Sequence, residues 1–346
     1  MATVTIIGAG MMGSGICRPV RDNGHEVRLV GTPLDRDIID EARRTGWHIT
    51  LKRRLPEGVS YYQIEEVSTA LAGADLVICG VSSFGLEWFA EAILPVLLLD
   101  VPVLSVTKGL LGQADGALMT YPHYLENRLP ESKRGRILFN AIGGPCTSYE
   151  LMDRHQTLVY FCGRDAACLA WLQSLLTTDY YHITISTDIV GVEVCVALKN
   201  AYAVGVSMAI GMAERIAGPD AYMYNPQAAL FGQSLREMTR LVRLLGGDSD
   251  LVAGIPGAGD LYVTIFGGRT RRLGYLLGKG VTYQEAREQL QGVTLESVVI
   301  ITRVAAALRA RAIAGAVDAA DFPLLMFLDR VINEGALAEI PWRDFR

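Results

Sequence analysis

The stretch IIGAGMMGSG, residues 6–15, limits what this chain can fold into more than any other. An apolar strand at residues 4–7 runs into Gly8-x-Gly10-x-x-Gly13. A helix follows over 12–23, then a second apolar strand over 25–31. Strand, glycine turn, helix and strand at this spacing form a βαβ unit whose turn holds a dinucleotide. Gly8 allows the tight turn, Gly10 lets the backbone approach a pyrophosphate, and Gly13 lets helix and strand pack closely. The helix N-terminus adds free N–H groups and a positive dipole end.

Such a unit usually carries an acid at the end of its second strand, where it binds the ribose 2′-hydroxyl. Here Gly31, Thr32 and Pro33 stand at that place; Asp35 comes late, and Arg36 follows it. A strict preference for NAD is therefore not supported. Thr32 and Arg36 offer groups able to meet a 2′-phosphate, although Arg36 also reads as an exposed residue at a helix start. The cofactor is NAD or NADP.

The alternation continues beyond the first unit. Strand-like runs at 74–81, 101–107 and 136–144 are separated by helical patterns, and runs at 157–163 and 180–186 extend the set. β-Branched runs bounded by Gly, Pro and Asp predict an α/β fold with a mostly parallel, doubly wound Rossmann-type sheet. After residue 187 the pattern is helical, with helices expected over 188–217, 226–245, 260–266, 271–279, 283–289, 295–311 and 322–333. The expected division is a dinucleotide-binding domain, 1–187, followed by an all-helical substrate-binding domain, 188–346. Asn225 and Pro226 read as the N-cap and first residue of a helix.

Composition narrows the partners. A net charge of −5 gives no global basic field for nucleic acid, and the run GRTRR at 268–272 reads as a solvated helix end. The apolar stretch 189–212 contains Glu193, Lys199 and Asn200, which fits a buried helix and not a membrane span. No basic leader with a cleavage site precedes the first strand, so no signal peptide is expected. Six cysteines without a CxxC read as reduced thiols in a cytoplasmic protein, and five histidines show no metal-ligand spacing.

Polar residues in apolar or glycine-rich surroundings mark the chemistry. Lys108 and Gly109 end one strand, at the sheet edge where ligands bind; Gly143, Gly144 and Pro145 end another. Lys199 and Asn200 sit side by side in an apolar helix and are expected to face the domain cleft. Asp260 and Thr264 share a helix face at i and i+4, with Arg269 just beyond. Ketone reduction needs a hydride donor on one face and a proton source at the oxygen. A partly desolvated lysine held by an acid supplies the proton, and an arginine beside hydroxyl and N–H donors suits a phosphate dianion.

The segments VTKGL, GVEVCVALKNAYAV and GAGDLYVT, taken together, resemble the NAD(P)-dependent sn-glycerol-3-phosphate dehydrogenase family from the N-terminal fingerprint to about residue 305. The resemblance implies interconversion of dihydroxyacetone phosphate and sn-glycerol 3-phosphate. It makes Lys199 the proton donor and acceptor, Lys108 a substrate-polarising residue near the nicotinamide, and Asp260 the partner that orients a lysine. It places Asn200 and Thr264 on substrate hydroxyls and Arg269 on the phosphate, with Thr270 where the family usually has Asn. Gly144 and Cys146 fall in its substrate loop. Cofactor contacts are implied at Gly8, Gly10, Met11, Met12, Gly13, Lys108, Ser148, Arg269 and Gln291, where Gln291-Gly292 stands for the family's Glu-Gly. A homodimer is a further expectation. The alternatives are a reductase of another 2-keto or phospho-keto compound, and a non-catalytic nucleotide sensor on the same fold.

Overall fold

The computed structural model describes residues 1–113 and 116–345. The chain forms two compact units: residues 1–108 with 121–192, and residues 109–120 with 193–346.

The first unit is built on an eight-stranded sheet. Its strands are β1 (Thr3–Ile7), β2 (Glu26–Val30), β3 (Val59–Tyr62), β4 (Leu76–Cys79), β5 (Val103–Ser105), β6 (Phe139–Gly143), β7 (Thr157–Cys162) and β8 (Tyr181–Ser186). Their spatial order is 8-7-6-5-4-1-2-3. All pairings are parallel except β6 with β7, so the last two strands run opposite to the other six. Every residue of β4, β5 and β6 is buried. That burial on both faces explains why they read as continuous apolar runs. Strand β3 was not expected: it lies at the sheet edge, and Ser60, Tyr61 and Tyr62 are all partly or fully exposed. Helices α1 (Met11–Gly15), α2 (Arg36–Thr45) and α3 (Ser148–Met152) belong to the same unit. Val4, Ile6, Leu29, Ile78, Leu104 and Phe161 belong to one buried cluster that holds the layers together.

The second unit is helical. Its elements include α4 (Ile189–Ala217), α5 (Tyr224–Leu244), α6 (Asp260–Thr264), α7 (Gly268–Gly278), α8 (Glu296–Ile313) and α9 (Pro323–Asn333). Helix α4 is long and apolar enough to cross a membrane, but 83% of its most apolar window is buried inside the protein. Glycines hold α7 against it: a Cβ on Gly274 would fall 2.3 Å from Val204 O, and one on Gly278 would fall 2.0 Å from Met208 O. Buried Glu237 joins three helices, accepting from Tyr202 Oη at 3.1 Å, Gln233 Nε2 at 2.7 Å, Leu324 N at 2.8 Å and Leu325 N at 3.0 Å.

Two local expectations are corrected. Helix α5 begins at Tyr224 with Met223 as N-cap, so Asn225 lies in the first turn and does not cap it. Pro226 is tolerated there because first-turn N–H groups have no intrahelical acceptor. The hairpin of Leu110–Gly112 and Leu118–Thr120, which contiguity in the sequence assigns to the first domain, packs in the second unit. Arg303 on α8 donates to Leu110 O at 2.8 Å, and a Cβ on Gly116 would fall 2.7 Å from that of Ala310.

Candidate active site

The glycine turn between β1 and α1 has the form its sequence demands. Gly8 has φ +109°, and a Cβ there would strike the Gly80 carbonyl carbon at 2.8 Å. A Cβ on Gly13 would fall 2.1 Å from Gly8 O. Gly10 differs: no heavy atom lies within 4 Å of where its Cβ would stand. Two glycines are required by protein contacts, and the third leaves an open cradle at the start of α1. That arrangement fits a dinucleotide pyrophosphate.

The peptide of Ala9, between the first two glycines, is held by side chains on both sides. The Asp35 carboxylate accepts from Ala9 N at 3.1 Å. On the other side, Ala9 O accepts from Ser14 Oγ at 3.1 Å and from His48 Nε2 at 2.8 Å. Leu51 N donates to His48 Nδ1 at 2.9 Å, so Nδ1 carries the lone pair and Nε2 the proton. Burial pushes the His48 pKa below 6.5 and keeps the ring neutral. His48 belongs to no motif, and nothing in the sequence distinguishes it.

The other expected cofactor residues of this unit differ in exposure. Met11 is exposed, with its sulfur 3.3 Å from Tyr149 Oη; Met12 packs against the core. Ser148 is nearly buried against Gly15. At the C-terminal end of β5, Lys108 Nζ donates to Gly144 O at 2.7 Å, which links the loops that leave β5 and β6. Cys146 is half-buried two residues further on.

In the second unit, Lys199 on α4 forms an ion pair with Asp260. The carboxylate is fully buried, and the lysine side chain is 12% exposed. Asp260 opens α6 directly after a π-helical turn, Ile255–Gly259. Gly257 makes that turn possible, because a Cβ there would fall 2.2 Å from Val252 O. Asn200 is half-buried beside the lysine. Thr264 donates its hydroxyl proton to Asp260 O at 2.7 Å, so it meets any ligand as an acceptor.

Arg269 lies half-exposed in the first turn of α7, with half-buried Thr270 next to it. Its guanidinium is 3.7 Å from the Glu296 carboxylate. The acid placed by Arg269 is therefore Glu296, the first residue of α8. Gln291 instead lines a surface pocket with Tyr283, Gln284, Arg287 and Glu288. The sequence reading missed Glu296; its position before an apolar helix was the available signal.

A Rossmann sheet with an open glycine cradle, and a lysine–carboxylate pair on a separate helical unit, define an NAD(P)-dependent oxidoreductase acting on a CH–OH group. Comparison with known proteins identifies the family. Residues 3–168 match the model for the NAD-dependent glycerol-3-phosphate dehydrogenase N-terminus, and residues 188–340 match that for its C-terminus. The chain belongs to this family. It is 33% identical over 336 residues to the NADP(+)-dependent glycerol-3-phosphate dehydrogenase of Archaeoglobus fulgidus, covering 97% of this chain and 96% of that protein. It is 30% identical over 298 residues to a glycerol-3-phosphate dehydrogenase [NAD(P)+] of Streptococcus thermophilus, covering 85% and 83%. The fold is also that of the glycerol-3-phosphate dehydrogenase from Coxiella burnetii, with a TM-score of 0.78 at 24% identity over 99% of this chain and 97% of that one.

Proposed function

We propose that this chain interconverts dihydroxyacetone phosphate and sn-glycerol 3-phosphate. The observation that carries the reading is the buried Lys199–Asp260 pair, formed by two of the three segments that carry the family resemblance. When bound, the nicotinamide cofactor supplies or accepts the hydride.

Lys199 gives its proton to the C2 oxygen during reduction and takes it back during oxidation. Asp260, buried and unable to turn to solvent, holds Nζ in position. Lys108 polarises the carbonyl, while Asn200 and Thr264 hold the hydroxyl end of the substrate. Arg269 and Thr270 bind the phosphate, an arrangement supported by an exposed guanidinium beside a hydroxyl donor. Six cysteines without a CxxC support a reducing, cytoplasmic location.

The test is oxidation of NADH and NADPH by purified protein, followed at the nicotinamide absorbance. Turnover with dihydroxyacetone phosphate but not with dihydroxyacetone is the expected result. Turnover with an unphosphorylated keto acid, and none with the phosphate, overturns it.

A further inference from the structure

We infer that His48 is a positioning residue for the cofactor: through the Ala9 carbonyl it aims the Gly10 N–H into the open cradle, where that donor meets a pyrophosphate oxygen. The Ala9–Gly10 peptide is trans and planar, so its carbonyl and its N–H point in opposite directions. Fixing one fixes the other. Ala9 O is fixed from within the protein, by His48 Nε2 at 2.8 Å and by Ser14 Oγ at 3.1 Å.

Gly10 N donates to no acceptor among the described residues. Gly10 stands at the N-cap of α1 with extended backbone, φ −65° and ψ 174°. A backbone donor at a helix start without a protein acceptor suits an anion. The preceding peptide is braced as well, since Ala9 N donates to the Asp35 carboxylate at 3.1 Å. Neither peptide plane flanking the Ala9 Cα can turn without breaking a hydrogen bond.

The ring that holds the carbonyl is itself held. His48 is fully buried and lies in a short antiparallel ribbon, Trp47–His48 with Arg53–Arg54. The loop between those strands turns back on it. Lys52, with φ +53°, donates its N–H to His48 O at 2.8 Å, and Leu51 N donates to the ring at Nδ1. Leu51 is fully buried and ties this loop into the core cluster. With both ring nitrogens committed, the imidazole has one tautomer and one orientation. His48 therefore acts on the cofactor through the Ala9 peptide and not by contact.

Equilibrium titrations of protein fluorescence test it, with ADP, which carries the pyrophosphate without the nicotinamide, and with whichever of NADH and NADPH binds wild type more tightly. No ketone is present, so the outcome is independent of the substrate assignment. His48→Leu removes the donor and is expected to weaken both ligands by roughly threefold to tenfold, the worth of about one hydrogen bond. His48→Gln offers an amide N–H at similar reach and is expected to stay within about twofold of wild type. In steady-state kinetics His48→Leu should raise KM for the nicotinamide cofactor and leave kcat in place. A residue that merely packs would lower Tm in both variants and leave both affinities alone. Unchanged affinities in His48→Leu, or an equal loss in His48→Gln, overturn the inference. If thermal melts show that His48→Leu does not fold, Ser14→Ala takes its place. It removes the other donor to Ala9 O, the same loss is expected, and unchanged affinities overturn the inference.

Discussion

Lys199 and Asp260, 61 positions apart in the chain, form an ion pair whose carboxylate is wholly removed from solvent. A buried carboxylate is tolerated only with a partner.

Replacement of Lys199 by Ala should lower kcat by roughly 10²–10⁴, the usual contribution of a positioned acid–base group. Cofactor affinity should stay within about twofold, because the glycine turn is built from other residues. Steady-state kinetics with parallel NADH titration checks both, and an unchanged kcat removes Lys199 from the mechanism.

Asp260→Asn leaves a largely desolvated ammonium without its counter-charge. Breaking a buried pair from one side costs about 3–5 kcal/mol, and the slight exposure of Lys199 places the expected loss near the lower figure. Urea denaturation measures it. The double variant Lys199→Met with Asp260→Leu should recover stability but not activity.

Arg269→Ala should raise KM for the phosphorylated substrate by roughly tenfold to a hundredfold, since a charge-assisted hydrogen bond is worth about 1.5–3 kcal/mol. Inorganic phosphate should compete with substrate in wild type and much less in the variant. Glu296→Gln should have a smaller effect, because the 3.7 Å pair it forms with half-exposed Arg269 is weak. Kinetics of Arg269→Ala indistinguishable from wild type would return the arginine to the solvated surface.

His48 links the cofactor turn to pH. Its pKa is depressed below 6.5 by burial, so below that value the unfolded chain binds a proton that the folded protein refuses. Its contribution is intact above pH 6.5 and declines as pH falls toward the folded-state pKa. His48→Gln should flatten the fall in Tm on the acid side. His25 and His123 are depressed in the same direction, so some slope should persist. An identical acid slope in wild type and variant would exclude His48 as a source.

Much of the candidate site is readable in the sequence where its parts are local. The glycines at 8, 10 and 13 act within one turn, and Lys199 announces itself as a charge in an apolar helix. Asp35 was visible, but its place against the glycine turn depends on how residues 31–34 fold back. Glu296 was missed for the same kind of reason: its nearness to Arg269 comes from where α7 and α8 begin, which no local pattern encodes. His48 acts on a carbonyl 39 positions away and carries no signature. Strand β3 was hidden by its edge position, where polar Ser60 costs nothing.

The hairpin that joins the second unit has a consequence for synthesis. Leu110 is fully buried, and its carbonyl meets Arg303, 193 residues later. At about 5–20 residues per second, a ribosome takes roughly 10–40 s to make the intervening chain. The nascent protein must therefore carry this hairpin unpartnered while the rest of the first unit is being made. A chaperone that shields short apolar segments should raise its folding yield, and a slow codon run between residues 121 and 303 should lower it.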